Sequence, residues 1–143
     1  MTRGADSLPY VLDASVAACW GFHDEHDPRA DAAFDLLDND HALVPLHWWF
    51  EIRNVLLLGE RRQRISGSHA IGFLDRLQRS PIELAELPDQ VGVLALARRH
   101  RLSFYDAAYL ELAQNRRIAL ATLDHQLAAA AQAEGVTLVG SSP

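Results

Sequence analysis

Four acidic residues, widely separated along the chain, are the side chains best able to carry out chemistry. They are Asp13, Glu51, Asp106 and Asp124, and each is flanked by apolar residues that must face a core. Carboxylates that converge repel one another unless protons or cations lie between them. A cluster that is rich in oxygen and poor in nitrogen suits Mg²⁺ or Mn²⁺. The four acids therefore predict metal-assisted chemistry on a phosphate ester.

Each acid also has an ordinary local explanation. Asp13 follows the buried run Tyr-Val-Leu and could cap a helix; the Ser15 hydroxyl could cap that helix too, or bond to Asp13 or a metal-bound water. Glu51 suits a solvated helix face. Asp106 and Asp124 suit the first turn of a helix, where the helix dipole favours an acid. No single acid is decisive, so the hypothesis depends on their joint position at one end of the predicted sheet.

Histidine and arginine residues are weaker candidates. His47 and His125 flank two of the acids, but the metalloprotease motif HExxH is absent. The loop at residues 23–27, with the sequence HDEHD, could bind a metal or be an ordinary solvated loop. Three arginines near the end of one predicted helix could contact RNA phosphates or an acidic partner, or could stabilise the helix dipole: Arg61, Arg62 and Arg64.

Composition limits the class of protein. The 143 residues fit a single domain, residues 1–143, with a proper core. The net charge of −6 argues against a basic nucleic-acid coat protein, but not against a nuclease whose metal ions neutralise an acidic centre. The absence of lysine excludes P-loop and Schiff-base chemistry. Cys19, the only cysteine, excludes an intramolecular disulfide. With no signal peptide or membrane span in the sequence, we expect a cytoplasmic protein.

Alternating strands and helices predict an α/β fold with a mainly parallel sheet covered on both faces. Ligands of such sheets bind beyond the carboxyl ends of the strands. Hydrophobic runs predict strands at residues 10–13, 42–44, 82–84, 118–121 and 136–139. Helical spacing predicts helices at residues 15–22, 28–39, 45–63, 66–80 and 89–100, another from 103, and a last one within 122–134. The candidate caps are Asp27, Ser66 or Ser68, Ser103 and Thr122, and Gly135 is the candidate stop of the last helix.

Four segments together resemble the PIN-domain ribonucleases, most closely the VapC toxins of bacterial toxin–antitoxin pairs. The segments are VLDASVAACW, FEIRNVLL, LSFYDAAYLELA and LATLDHQLAAAAQAEGV, in the order of the family and across nearly the whole chain. The resemblance implies a PIN-like three-layer α/β/α fold and cleavage of RNA with Mg²⁺ or Mn²⁺. It also implies a homodimer, inhibited by a small antitoxin protein that binds DNA.

The same resemblance implies roles for individual residues. Asp13, Glu51, Asp106 and Asp124 match the acidic quartet of the family, with Asp13 and Asp106 as the direct metal ligands. Ser15 matches the small polar residue near the first acid, and Thr122 matches the hydroxyl before the last. The family pattern assigns no role to the pair Trp48-Trp49.

Two other classes of function remain alternatives. A phosphatase with an aspartate nucleophile would use Asp13, but such enzymes carry a second acid two residues later, where this chain has Ser15, and they also use a lysine. A non-catalytic module with a PIN-like fold that binds RNA or a protein partner is the other alternative. Cleavage of RNA in Mn²⁺ but not in EDTA distinguishes these readings.

Overall fold

Four short parallel strands form the central sheet in the computed structural model, which describes residues 8–141. They are β1 (Tyr10–Leu12), β2 (Ala42–Val44), β3 (Ile82–Leu84) and β4 (Ala119–Ala121). Their order across the sheet is β3-β2-β1-β4, and Val11 of β1 lies opposite Leu43 of β2 and Leu120 of β4. Both neighbours of β1 are strands, and its three residues are fully buried apolar side chains, as expected for a strand in a doubly covered parallel sheet.

Seven helices surround the sheet in the part of the chain that the structure describes. They are α1 (Ala14–Gly21), α2 (Pro28–Leu36), α3 (Leu46–Arg61), α4 (Gly67–Gln78), α5 (Gln90–His100), α6 (Phe104–Arg116) and α7 (His125–Ala133). The predicted helix starts are confirmed at Asp27, Ser66 and Ser103, whose side chains each accept a backbone N–H of the first turn. The predicted stop after α7 is also confirmed, because Gly135 has a positive φ of 75° that favours glycine.

The connections between strands place the helices in two layers. The chain moves from β1 to β2 to β3 in one direction and then crosses back to β4 at the other edge. Because such crossovers are right-handed, α1–α4 cover one face and α5 and α6 the other. The contacts agree, since α1 packs on α2 and α3, α3 packs on α4, and α5 packs on α6. The predicted three-layer α/β/α fold is therefore confirmed.

The fifth predicted strand, at residues 136–139, is wrong. Leu138 makes an isolated bridge to Leu120, held by two backbone bonds from Leu120 N to Thr137 O and from Val139 N to Leu120 O. The chain then turns, with Gly140 in a positive-φ conformation against Arg29, so no ladder extends beyond that bridge. Within residues 8–141, no helix is both long and apolar enough to cross a membrane.

One glycine permits the close approach of α3 to the end of α1. A Cβ atom built on Gly59 would lie 2.7 Å from Cε1 of Phe22, well inside normal contact. Phe22 is buried, so the ring has little room to move.

We expect Gly59→Ala to lower the free energy of unfolding by about 1–3 kcal/mol, because the added methyl overpacks this contact. Gly72→Ala is the matched control, since its Cβ would meet only the end of the Arg76 side chain at 3.6 Å within α4. That change should stabilise the protein by about 0.5–1 kcal/mol through helix propensity. Urea unfolding of both variants measures the difference, and equal effects would contradict the close approach.

Candidate active site

Asp13 lies at the carboxyl end of β1 and is only 6% exposed. Its Oδ2 atom accepts two hydrogen bonds of 2.7 Å, one from the hydroxyl of Ser15 and one from the hydroxyl of Thr122. Burial raises the pKa of Asp13, and the two hydroxyl donors partly offset that effect. The carboxylate is thus held in one orientation but carries an unfavourable buried charge.

The two hydroxyls also join the start of α1 to the turn between β4 and α7. Ser15 Oγ accepts the backbone N–H of Leu123 at 3.0 Å, and Thr122 Oγ1 accepts that of Asp124 at 3.0 Å. The cap of α7 is Asp124, whose Oδ2 accepts from Leu127 N at 2.7 Å, so Thr122 is not the cap. Asp124 is exposed at the same edge of the sheet as Asp13.

Glu51 is half-buried on the second turn of α3, which begins just after β2. The hydroxyl of Tyr109 donates to Glu51 Oε1 at 2.5 Å, and this bond crosses from α6 to α3 over the end of the sheet. Burial is the main cause that raises the pKa of Glu51, and the charge of Asp106 raises it further. Burial also raises the pKa of Tyr109 far above its ordinary value, so the phenol stays protonated and acts as a donor.

Asp106 is half-buried in the first turn of α6, where its backbone N–H bonds to the Ser103 hydroxyl at 3.1 Å. Burial raises the pKa of Asp106, and the charges of Asp13 and Asp124 raise it further. The topology explains this convergence. Asp13 and Asp124 follow the neighbouring strands β1 and β4, between which the chain changes direction, and ligands bind at such a point in open α/β sheets.

The acids fit a hard divalent cation by chemistry, although they do not form a closed cage. Within residues 8–141, no three His, Cys, Asp or Glu side chains come close enough together to hold one ion. Mg²⁺ keeps several water ligands and is often held by only one or two carboxylates, so a closed cage is not required. Three carboxyl groups with raised pKa values and mutual repulsion form a site in which a cation would remove an electrostatic cost.

The three arginines predicted to contact RNA or a partner lie elsewhere. Arg61 is ten residues after Glu51 on α3, which puts it about 15 Å away along the helix axis. Arg64 is already engaged, because its guanidinium bonds to Asp24 at 3.0 Å and to Glu25 at 2.8 Å. The structure therefore does not bring Arg61, Arg62 or Arg64 to the acids.

Two aromatic side chains lie beside the acids: Tyr109, which was not a predicted site residue, and His47, which was only a weaker candidate. His47 precedes Glu51 by one helical turn, and its Nε2 atom lies 3.6 Å from Glu51 Oε1. Burial lowers the pKa of His47, so the imidazole is neutral at pH 7. The ring packs against Tyr109, with centroids 4.9 Å apart. Sequence spacing could have revealed both neighbours, because residues three or four apart share one face of a helix. His47 and Glu51 are four residues apart, and Asp106 and Tyr109 are three apart.

Solved structures with a similar fold include PAE2754 from Pyrobaculum aerophilum, with a TM-score of 0.71 and 24% identity, where the match covers 95% of this chain and 93% of that one. VapC20 of Mycobacterium tuberculosis, described as a sarcin-ricin loop cleaving toxin, has a TM-score of 0.57 and 18% identity over 85% of this chain and 94% of that one. At these identities the likeness concerns the fold. No curated protein matches the sequence.

The family model for the PIN domain matches residues 10–138, a range that contains all four acids and both hydroxyl residues that hold Asp13. PIN domains are typically nucleases, and PIN-domain nucleases generally use divalent metal ions. The chain therefore belongs to the PIN-domain family.

Proposed function

We propose that the protein is a Mg²⁺- or Mn²⁺-dependent endoribonuclease that hydrolyses phosphodiester bonds of RNA. The observation that supports this most is the group of acids beyond the carboxyl ends of β1 and β4. The pKa values of Asp13, Glu51 and Asp106 are all raised there, and mutual repulsion contributes at each. A cluster of uncompensated carboxylates is stable only as a site for protons or cations.

In this proposal, Asp13 and Asp106 hold the metal directly, and Glu51 and Asp124 act through water or at a second ion. When bound, such an ion makes a coordinated water more acidic and offsets negative charge on the phosphate oxygens. The protein residues supply orientation. Ser15 and Thr122 fix the rotamer of Asp13, which is the usual work of groups behind a metal ligand.

The remaining residues of the site supply a low-polarity wall and a fixed donor. The Tyr109 hydroxyl donates to one carboxylate oxygen of Glu51. This bond fixes the orientation of the carboxylate and so the direction in which its other oxygen points. His47 is neutral and packs between Tyr105 and Tyr109, so it excludes water beside Glu51 without adding charge. No side chain is needed as a nucleophile, because a water oxygen would attack the phosphorus atom while one P–O ester bond breaks and the leaving sugar oxygen takes up a proton from solvent.

In the cell, we infer that the protein acts as the toxin of a type II toxin–antitoxin system. Its partners would be an RNA substrate, a second copy in a homodimer, and a cognate antitoxin protein through which it reaches DNA. Membership in the PIN family and the structural likeness to the toxin VapC20 support this role. A non-catalytic PIN-like module is the competing reading, and cleavage of RNA by the purified protein separates the two.

We expect the purified protein to cleave RNA in Mn²⁺ and not in EDTA. Asp13→Asn and Asp106→Asn should each lower kcat/KM by at least about a hundredfold, because each removes a charge that stabilises the transition state through the ion. Glu111→Gln is the matched control. Glu111 is a buried acid on α6, and its pKa is raised by burial and by the charge of Asp89, with no contribution from the four acids of the site. Full cleavage by a folded Asp13→Asn protein would refute the mechanism.

Metal should also stabilise the folded protein. Mn²⁺ that binds the folded site and hardly the unfolded chain adds about 2.7 kcal/mol at a hundred times its Kd. We therefore expect a concentration-dependent rise in Tm that is full in Glu111→Gln and much smaller in Asp13→Asn and Asp106→Asn. Differential scanning fluorimetry measures the Tm at each Mn²⁺ concentration. Equal rises in Tm for the wild type and all three variants would mean that the metal binds away from the acids.

Without metal, the contribution of Asp13 to stability should fall as pH rises. The folded pKa of Asp13 is raised above the ordinary 3.8, so the native state holds the proton longer than the unfolded chain does. The stabilisation that protonated Asp13 gives the folded protein is therefore fully present below pH 3.8, and it is lost as pH rises through the folded pKa. Asp13→Asn removes this titration, and its amide oxygen can still accept from Ser15 and Thr122. We expect the Tm of Asp13→Asn, relative to wild type in EDTA, to increase from about pH 4 towards pH 7.

Glu134→Gln provides a control of opposite sign. Hydrogen bonds from His100 and Arg99 lower the pKa of Glu134 to about 2, so its contribution is present at neutral pH and is lost as pH falls towards that value. Glu134→Gln should therefore be less stable than wild type at pH 7, and the deficit should shrink in acid. A pH-independent difference for both variants would contradict the opposite pKa shifts of Asp13 and Glu134.

A further inference from the structure

Trp49 and Arg53 form an exposed cationic and aromatic pair on α3 that the acid cluster does not use. The Arg53 guanidinium lies 3.7 Å from the centre of the Trp49 ring, and its Nη1 atom donates to the Trp49 carbonyl at 2.8 Å. Trp49 is 41% exposed, and it packs edge-on against Phe50, which is 63% exposed. Two large aromatic side chains thus face solvent beside an oriented, partly buried guanidinium, on the helix that carries Glu51.

The charge of Arg53 is not compensated within the described part of the chain. No carboxylate of residues 8–141 lies within ion-pair distance of this guanidinium, whereas Arg29, Arg64, Arg79 and Arg99 all have acidic partners. Partial burial lowers the pKa of Arg53, yet an arginine remains charged at neutral pH. A partly desolvated cation without a counter-ion favours the binding of an anion.

A cavity of about 310 Å³ adjoins this pair. Trp48, Trp49, Arg53 and Gln78 line it, beside the edge strand β3. Trp48 is 5% exposed, and its Nε1 atom has no hydrogen-bond partner among residues 8–141. A buried donor without an acceptor costs free energy until an oxygen atom of water or of a ligand reaches it. The cavity wall therefore offers the aromatic surface of Trp49, the amide of Gln78 and the unpaired cation of Arg53.

The cavity and the acid Glu51 lie on opposite flanks of α3, on either side of its exposed crest. Successive helical residues are about 100° apart around the axis, so Glu51 and Trp49 lie on opposite flanks with Phe50 between them. On the Glu51 side, Phe50, Tyr105 and His47 line another cavity of about 240 Å³. A strand of RNA that leaves the acids would pass this cavity, cross Phe50 and reach Trp49.

We propose that Trp49, Phe50 and Arg53 form a nucleotide-binding subsite for a part of the RNA strand that is not cleaved. An unpaired base stacks on the exposed aromatic rings, and the adjacent phosphate binds Arg53. This inference rests on the proposed ribonuclease function. It assigns Trp49, one of the two tryptophans that the family pattern leaves unexplained, to recognition of the substrate outside the acid cluster.

The test measures binding separately from cleavage. The parent is Asp106→Asn in Mg²⁺, and the probe is a fluorescein-labelled, unstructured RNA of about 12 nucleotides followed by anisotropy. In this parent, Trp49→Ala should weaken binding by about fivefold or more, and Trp49→Phe should restore most of it, because stacking needs an aromatic face. Arg53→Gln should weaken binding and reduce the slope of log K against log salt by about 0.7, as expected for one lost phosphate contact with a single strand.

Arg76→Gln is the matched control. Arg76 also stands over an aromatic ring, Phe73 at 5.9 Å, but it lies on α4 and its side chain lines neither cavity. The affinity of the Arg76→Gln variant for the probe should stay within about twofold of that of the parent, because Arg76 lies outside the proposed path of the strand. Thermal melts establish that each variant is folded, and the exposure of Trp49 makes its replacement tolerable.

The outcomes distinguish the subsite from the nuclease. If wild-type protein cleaves RNA and the acid variants do not, while Trp49→Ala and Arg53→Gln bind the probe as the parent does, the subsite is refuted and the function stands. If the protein cleaves nothing but binding depends on both residues, the subsite stands and the function is refuted. If Trp49→Ala instead alters only self-association in sedimentation, the surface belongs to a second copy and the subsite is refuted.

Discussion

The buried carboxylate of Asp13 is the constraint on which the rest of the site depends. A charge at the end of the central strand would be too costly to bury without donors, and two hydroxyls supply them from distant parts of the chain. These same hydroxyls receive backbone N–H groups of the turn after β4, so one network orients the acid and closes the fold. The local structure of three elements is therefore built around a single oxygen atom.

Repulsion among the acids and the packing of their aromatic neighbours make the site costly, and hydrogen bonds offset part of that cost. Burial beside Tyr109 and His47 makes each charge harder to keep, while hydrogen bonds hold Asp13 and Glu51 in place. The apo site thus stores electrostatic cost that only protons or cations relieve. A site of this kind gives up stability for function, and the close-packed core of β1 and α6 is what allows the fold to tolerate it.

Local patterns in the sequence were enough to predict most of the fold. Short runs of mostly apolar residues predicted β1 to β4, and capping residues predicted the starts of α2, α4 and α6, because these signals act over a few residues. The strand at residues 136–139 failed because apolar character does not reveal that the chain turns away after one bridge. The bond from Tyr109 to Glu51 joins residues 58 positions apart, so spacing could suggest its partners but not their contact. Similarly, an arginine-rich helix end does not show that Arg64 is already neutralised by Asp24 and Glu25.

The contact between Gly59 and Phe22 has a mechanical consequence for α3. Close packing of α3 against Phe22 prevents the helix from rotating about its own axis. The helix itself fixes the angle between Glu51 on one flank and Trp49 on the other, and the contact fixes both relative to the rest of the fold. Any mutation that turned the helix to adjust one side chain would displace the other, so these two surfaces can diverge in evolution only by replacement of individual side chains.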